Sequence, residues 1–247
     1  MADFTHLHVH TEYSLLDGTS KIGALLDRAK ELGFKSLAIT DHGVMYGGVE
    51  FFEEAQKRGI KPIIGCEVYT APGSRHSRVY GVDSEYGHLV LLCQNEVGYK
   101  NLMTLVSLAH TEGYYYKPRV DRELLRQYST GITALSGCLK GEVSACLVSS
   151  DFEGAKKKAL EYQDIFGEGN FYLEVQDHGI EEEKVVREGM KRLSLETGIP
   201  LAATNDIHYI DREDSLLQDV VTCIQTGKKI DDPGRLKFFG SECYLKS

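Results

Sequence analysis

Phe4-Thr-His-Leu-His-Val-His-Thr11 decides how the rest of the chain is read. In an extended strand successive side chains alternate between faces. His6, His8 and His10 are therefore expected on one face, and Leu7 and Val9 on the other. Three imidazoles on one face of a buried strand are hard to explain as packing. They are reasonable if a divalent ion sits at the strand end, because neutral imidazole is the commonest metal ligand. Leu15-Leu-Asp-Gly18 follows at once, so Asp17 can fold back over the same end. His6 lies further from that end, and a place in the barrel interior is expected for it rather than ligation.

Outward from this stretch the pattern is strand, then helix, repeated. Strands are expected at 4–10, 36–40, 62–69, 88–93, 132–136, 171–175 and 199–204. Helices are expected at 21–32 (capped by Ser20 and stopped at Gly33), 47–57 and 98–110, and briefly after Asp121. More follow near 141–148, 152–166, 181–196 and 212–226. Such alternation predicts a parallel sheet, which short connections would close into a barrel; an open doubly wound sheet is the alternative. The tail, 236–247, could be a strand but has no place in the repeat. The 247 residues suit one α/β barrel, and residues 1–247 are read as a single domain.

Composition narrows the class. No stretch is long and apolar enough to span a bilayer, and no signal peptide is visible. Six cysteines are scattered with no C-x-x-C pair, which suits a reducing compartment and argues against disulfides or a zinc finger. The formal net charge of −9 is unusual for a partner of polyanions. Three divalent ions would offset about six of those charges, so much of the acidity can be ligand rather than surface.

The unusual polar residues gather at strand ends, mostly C-terminal ones, where α/β barrels assemble active sites. His8 and His10 end the first strand, with Asp17 just beyond. His42 follows the second strand, Glu67 is on the third and His88 opens the fourth. Cys138 follows the fifth, and Asp206 and His208 follow the seventh. His88 is the exception: either its strand boundary is misplaced or its strand runs antiparallel. Nine candidate ligands are too many for one tetrahedral ion and enough for three. A carboxylate such as Glu67 can bridge two ions, and a Cys138 thiolate favours zinc over magnesium; manganese or iron suits the His/carboxylate positions. Glu174 and Gln176 are expected to support these ligands, and Asp41 to orient His42. His110 and His178 are read as hydrogen-bonded core residues, and the other cysteines as small hydrophobes. Arg75, His76 and Arg78 sit in a turn-rich loop that is either plain solvated surface or an arm gripping phosphates. Tyr114-Tyr-Tyr-Lys-Pro-Arg119 mixes aromatics with base, as single-strand binding or simple packing would use.

Taken together, His8-x-His10 with Asp17, Thr40-Asp41-His42, Gly65-Cys66-Glu67, His88, Cys138 and Asp206-x-His208 resemble the metal-binding motifs of the PHP (polymerase and histidinol phosphatase) superfamily. The stretches 6–18, Gly113-Tyr-Tyr-Tyr-Lys-Pro-Arg-Val-Asp121, Ala203-Thr-Asn-Asp-Ile-His-Tyr209 and Phe238-Phe-Gly-Ser-Glu-Cys-Tyr-Leu-Lys246 narrow the likeness. They resemble the N-terminal PHP domain of bacterial DNA polymerase III alpha subunits. The resemblance implies a distorted seven-stranded (βα)7 barrel with three divalent ions at the C-terminal ends of the strands. By the family pattern His8, His10, Glu67 and Asp206 hold the first ion. Glu67, His88 and Cys138 hold the second, and Asp17, His42 and His208 the third. It also implies a cytoplasmic, bacterial protein in DNA replication. The activity implied is that of a metal-dependent phosphoesterase, a 3′–5′ proofreading exonuclease acting on a single-stranded or frayed DNA 3′ end. Activated water would be the nucleophile at His8, His10, Glu67 and Asp206, and Arg75 and Arg78 would neutralise the phosphate. The implied partners are the remainder of a polymerase III alpha subunit, into which the final ten or so residues lead, and a separate proofreading exonuclease subunit. No polymerase domain is expected within this stretch. The alternatives are a non-catalytic metal-stabilised scaffold docking that exonuclease, or a phosphomonoesterase of the histidinol-phosphatase type.

Overall fold

The computed structural model describes residues 4–237 and 240–247, so Phe238 and Phe239 of the closing motif lie outside the described residues. Seven short strands form one curled sheet: β1 (Ser36–Ile39), β2 (Lys61–Thr70), β3 (Gly87–Cys93), β4 (Arg119–Val120), β5 (Ile132–Leu135), β6 (Phe171–Val175) and β7 (Leu201–Ala203). The order is β1-β2-β3-β5-β6-β7, with β4 paired to β2 at one end. β1/β2, β5/β6 and β6/β7 are parallel, whereas β3 runs antiparallel to both β2 and β5. The fully parallel sheet is therefore corrected, and the His88 exception is resolved. A reversed β3 starts where its neighbours end, so His88 lies at the same end of the sheet as Glu67 and Cys138.

The first stretch is not a regular strand. It bridges the two sides of the barrel instead. Ala38 N and Thr40 N donate to His6 O and Val9 O, while His10 N donates to Ile207 O and Ile207 N to His8 O. Val9 N donates to the Thr40 side chain rather than to a backbone carbonyl. The alternation of a regular strand fails accordingly. Leu7 packs inside the barrel with Ala38, Val90 and Leu135, while Val9 packs outside with Leu25, Leu26 and Phe51. His6 is turned away from His8 and His10. It lies edge-on to Phe34 and donates from Nε2 to Lys246 O, so the interior place expected for it is corrected.

Helices α1 (Ile22–Glu31) and α2 (Gly48–Arg58) cover β1 and β2. Helices α3 (Glu96–Thr111), α4 (Arg122–Tyr128), α5 (Glu142–Val148), α6 (Phe152–Phe166) and α7 (Glu181–Thr197) cover the rest, and α8 (Ser215–Thr226) follows β7. Local chemistry fixes their ends. Asn95, Asp121 and Asp151 side chains accept the first free amides of α3, α4 and α6. Gly59 and Gly198 close α2 and α7 in the left-handed conformation. Ser20 does not cap α1; the Glu12 carboxylate accepts from Ile22 N at 3.0 Å instead. The tail also has a place: Tyr244 bridges Tyr209, Leu245 N donates to Ile210 O, and Leu245 is buried with Ile22 and Ile207. No described helix is long and apolar enough to cross a membrane.

Candidate metal centre

Two tight turns deliver Asp17 and Asp206. After His10 the chain bends through Leu15 (φ 24) and Leu16 (φ 61), so that Asp17 returns to the strand end. Asp41 does not orient His42 as expected. It fastens this bend, accepting from Thr11 N, Thr11 Oγ1 and Ser14 Oγ at 2.6 to 2.8 Å. After β7, Asp206 takes a left-handed conformation (φ 42), which Asp tolerates better than most residues. Strain of this kind at a non-glycine residue directs attention to what the side chain reaches. Here Asp206 Oδ1 lies 3.2 Å from both His8 Nε2 and His10 Nε2.

Glu67 is the hub. Its Oε2 is 2.7 Å from His42 Nδ1 and 3.3 Å from His10 Nε2, and its Oε1 is 2.9 Å from His88 Nδ1 and 3.4 Å from His8 Nε2. Cys138 Sγ lies 3.9 Å from both Glu67 Oε1 and His88 Nδ1. Asp17 Oδ2 is 3.4 Å from His42 Nε2. Three groups each bring three ligand atoms within 4.8 Å of one another: His8–His10–Asp206, His42–Glu67–His88 and His10–His42–His208. All nine expected ligands thus converge on one end of the barrel. The grouping differs in detail, since His10 joins His42 and His208.

The hydrogen bonds behind the ligands fix their tautomers. His8 Nδ1 donates to Glu174 Oε1 at 2.7 Å. His10 Nδ1 faces Ser14 Oγ at 2.9 Å; that hydroxyl donates to Asp41, so its oxygen accepts from the ring. Both histidines therefore turn Nε2 lone pairs toward Asp206 and Glu67. His8 Nε2, His10 Nε2, Glu67 Oε2 and Asp206 Oδ1 are all buried without a hydrogen-bond partner. Lone pairs packed against carboxylate oxygens repel unless a cation lies between them, and neutral imidazole with carboxylate is a metal donor set. The titration behaviour has the same origin. Burial opposes charge at His8 and His42, yet the surrounding carboxylates win, raising His8 well above its ordinary value and His42 to about 10. Burial works against Asp17 and Glu67 as carboxylates too, yet the histidines hold Asp17 down to about 2 and Glu67 well below its usual range. Burial, then Glu67 and Asp206, push the Cys138 thiol far up. The cluster draws positive charge to itself.

Asp17, His42, His88, Cys138, Asp206 and His208 line a cavity of about 540 Å³, which extends past them to Gln176, His178, Thr222 and Lys237. Neither Arg75 nor Arg78 lines it. Arg75 is buried and bound to Asp121, Glu112 and Glu123, and Arg78 donates to the carbonyls of His76 and Glu112. Their expected part as phosphate grips is corrected for that reason. Arg119 is likewise occupied: fully buried, it donates to the carbonyls of Gly113, Asp83, Arg75 and Ser77. His178 is hydrogen-bonded through both nitrogens, to Glu183 and Asn205 O, as expected of a core residue, but it also faces the cavity. His110 is exposed and bonded to Gly43 O. Two features escaped the sequence reading. Ser14 orients His10; its place four residues on, in a turn, was the available signal. Lys140 and Lys237 join Lys117 on the cavity wall, and no motif marks them.

Comparison with known proteins places this arrangement. The family model described as "PHP domain" matches residues 6–178. The DNA polymerase III subunit alpha of Treponema pallidum is 49% identical over 245 residues, covering 99% of this chain and 21% of its own length. That of Borreliella burgdorferi is 44% identical, with the same coverage. The chain thus spans about a fifth of the length of these curated relatives. A solved amidohydrolase from Chromobacterium violaceum, with bound sulfate and no metal, shares the fold at a TM-score of 0.50 and 16% identity, over 83% of this chain and 87% of its own. The chain belongs to the PHP domain family.

Proposed function

We propose that this chain is a metal-dependent phosphoesterase holding three divalent ions and acting as a 3′–5′ exonuclease on a single-stranded or frayed DNA end. One observation carries the reading: His8 Nε2, His10 Nε2, Glu67 Oε2 and Asp206 Oδ1 are buried without a hydrogen-bond partner, and each of the two imidazole nitrogens lies 3.2 to 3.4 Å from a carboxylate oxygen of both Glu67 and Asp206, next to the cavity that Asp206 lines. Zinc fits the Cys138 position, and manganese or iron fits the His/carboxylate positions. Divalent ions held there would activate water and polarise the phosphoryl group. The chain's own part is to hold and orient. Glu67 joins the groups around His8, His42 and His88, and Glu174 and Ser14 keep His8 and His10 in the ligating tautomer. No side chain is placed as a nucleophile. We assign the chain, as a single domain, to the bacterial cytoplasm as part of a replicative polymerase III alpha subunit, with the remainder of that subunit as partner. The family match and the thiol-bearing cysteines support this.

A second reading, a metal-stabilised scaffold that docks a proofreading exonuclease, is favoured by one observation. α8 presents Leu216, Leu217, Val220 and Ile224 to solvent. The test separates the readings. The chain is loaded with metal, its content is measured, and it is given a 3′-labelled single strand and a phosphomonoester, with Asp206→Asn as control. Hydrolysis of the strand, lost in the control, is expected. Stoichiometric metal with neither substrate hydrolysed would leave the scaffold, and preference for the monoester would leave a phosphatase.

A further inference from the structure

Lys117 lines the cavity together with Asp17, His42, His88 and Asp206. Its ammonium sits 5.1 Å from the centre of the Tyr69 ring. Tyr69 is itself parallel to His42, with centroids 6.0 Å apart, and edge-on to His88 at 5.2 Å. Among the described residues no carboxylate is ion-paired with Lys117, whereas Arg75, Arg119 and Arg122 are all consumed by internal partners.

A rim lysine is most often just solvated. Three observations set this one apart. It is half-buried, while Lys140 and Lys237 on the same cavity are exposed. Its backbone is pinned: Tyr115 N donates to Lys117 O at 3.0 Å, and Tyr116 is held in the left-handed region (φ 59), an uncommon conformation for a bulky residue. The turn is also interlocked with the His42 turn, since a Cβ at Gly43 (φ +64) would come within 3.0 Å of both Pro118 Cγ and Tyr69 Cε2. The backbone is held where it delivers the side chain, and the ammonium lies over an aromatic face that favours a cation.

We propose that Lys117 binds a non-bridging oxygen of the substrate's phosphoryl group, the part the sequence reading gave to Arg75 and Arg78. The inference rests on the phosphoesterase reading for its substrate class, a tetrahedral phosphate ester. An ammonium is a compact point charge with three donors, so it can follow such an oxygen without the fixed geometry a guanidinium requires. With Asp17, Glu67 and Asp206 taken up by cations, Lys117 would be the half-buried lysine on the cavity left for an anion among the described residues. The phosphate belongs either to a nucleic-acid terminus or to a small monoester, since both present the same oxygens.

The test uses the full chain loaded with Mn²⁺ and inorganic phosphate as the probe. Lys117→Met keeps an unbranched side chain and removes the charge. Losing one charge-assisted hydrogen bond is expected to weaken phosphate binding about 10–100-fold. Manganese content and melting temperature are expected to stay unchanged, and Lys117→Arg to recover most of the loss. If Lys117→Met does not fold, Lys117→Gln replaces it. Hydrolysis of bis(p-nitrophenyl) phosphate and p-nitrophenyl phosphate separates the two sources: the ester whose kcat/KM falls further is the one Lys117 serves. Phosphate affinity within about twofold of the parent, or loss of manganese from the variant, overturns the inference. The outcomes stay distinguishable from those of the proposed function. Phosphate binding that depends on Lys117 without hydrolysis keeps the inference and removes the activity; hydrolysis with unchanged phosphate binding does the reverse.

Discussion

Glu174→Gln is the sharpest probe of the metal centre, because it leaves all nine expected ligands in place. Glu174 has no solvent-exposed side-chain surface, and its Oε1 accepts from His8 Nδ1 at 2.7 Å, from Thr204 Oγ1 at 2.5 Å and from Gln176 Nε2 at 3.0 Å. Glutamine has nearly the same shape and can still accept from His8, but it lacks the charge that makes His8 a strong donor to metal. Hydrogen bonds to charged groups contribute about 1.5–3 kcal/mol, against about 1 for neutral ones. The difference, about 0.5–2 kcal/mol, corresponds to about 2–30-fold in affinity. Outer partners of metal-bound histidines lose about 10–100-fold when replaced, so about tenfold is expected where the ranges meet. The assay is chelator competition for zinc at fixed pH, with circular dichroism to confirm the fold. Affinity unchanged within the error of the titration, in a folded variant, would refute the claim that Glu174 acts on metal through His8.

Ser14→Ala removes the acceptor that fixes the His10 tautomer and is expected to weaken metal binding about tenfold, read in the same competition assay. Glu142, tied to Arg122, Lys158, Thr70 and Tyr162, is held down to about 2 although burial opposes its charge. Its native carboxyl stays ionised below the ordinary value of 4.5, so the unfolded chain takes up more protons there. Its contribution is present above about pH 4.5 and is lost as pH falls toward 2, which urea unfolding across that window will show. Glu142→Gln leaves Arg122 with Glu161 but without its more buried carboxylate partner, and is expected to cost about 1–3 kcal/mol at neutral pH in the same experiment. Arg119→Met strands four carbonyls and is expected to destabilise by about 3 kcal/mol or more, with faster amide exchange at 71–86 than elsewhere.

The strand and helix periods were legible because burial imposes them. α7 is expected at 181–196 and ends one residue later, at Thr197, just before the glycine that stops it. The convergent ligands were legible because His, Asp, Glu and Cys at strand ends have few other reasons to be there. Direction was not legible. Nothing in His88-Leu-Val-Leu-Leu-Cys93 distinguishes a parallel from an antiparallel strand, since both bury the same alternating face. The failure at Arg75 and Arg78 has another cause. A guanidinium in a loop reads as available, and only the fold reveals that Asp121, Glu112 and Glu123 lie around Arg75. His6 was misplaced because alternation presumes a regular ladder, which the Val9–Thr40 side-chain bond interrupts.

The pairing of His8 and His10 with Ile207 has a consequence for how the protein is made. Translation delivers these histidines about 200 residues before Asp206. At about 5–20 residues per second that interval is about 10–40 s. Throughout it the emerging chain carries part of a ligand set with no means of closing it. The barrel seam and the metal centre are therefore completed in the same late event. A ribosome stalled before residue 206 would hold a nascent chain whose histidines bind metal weakly and exchange it freely, whereas emergence of Asp206 and His208 would trap it.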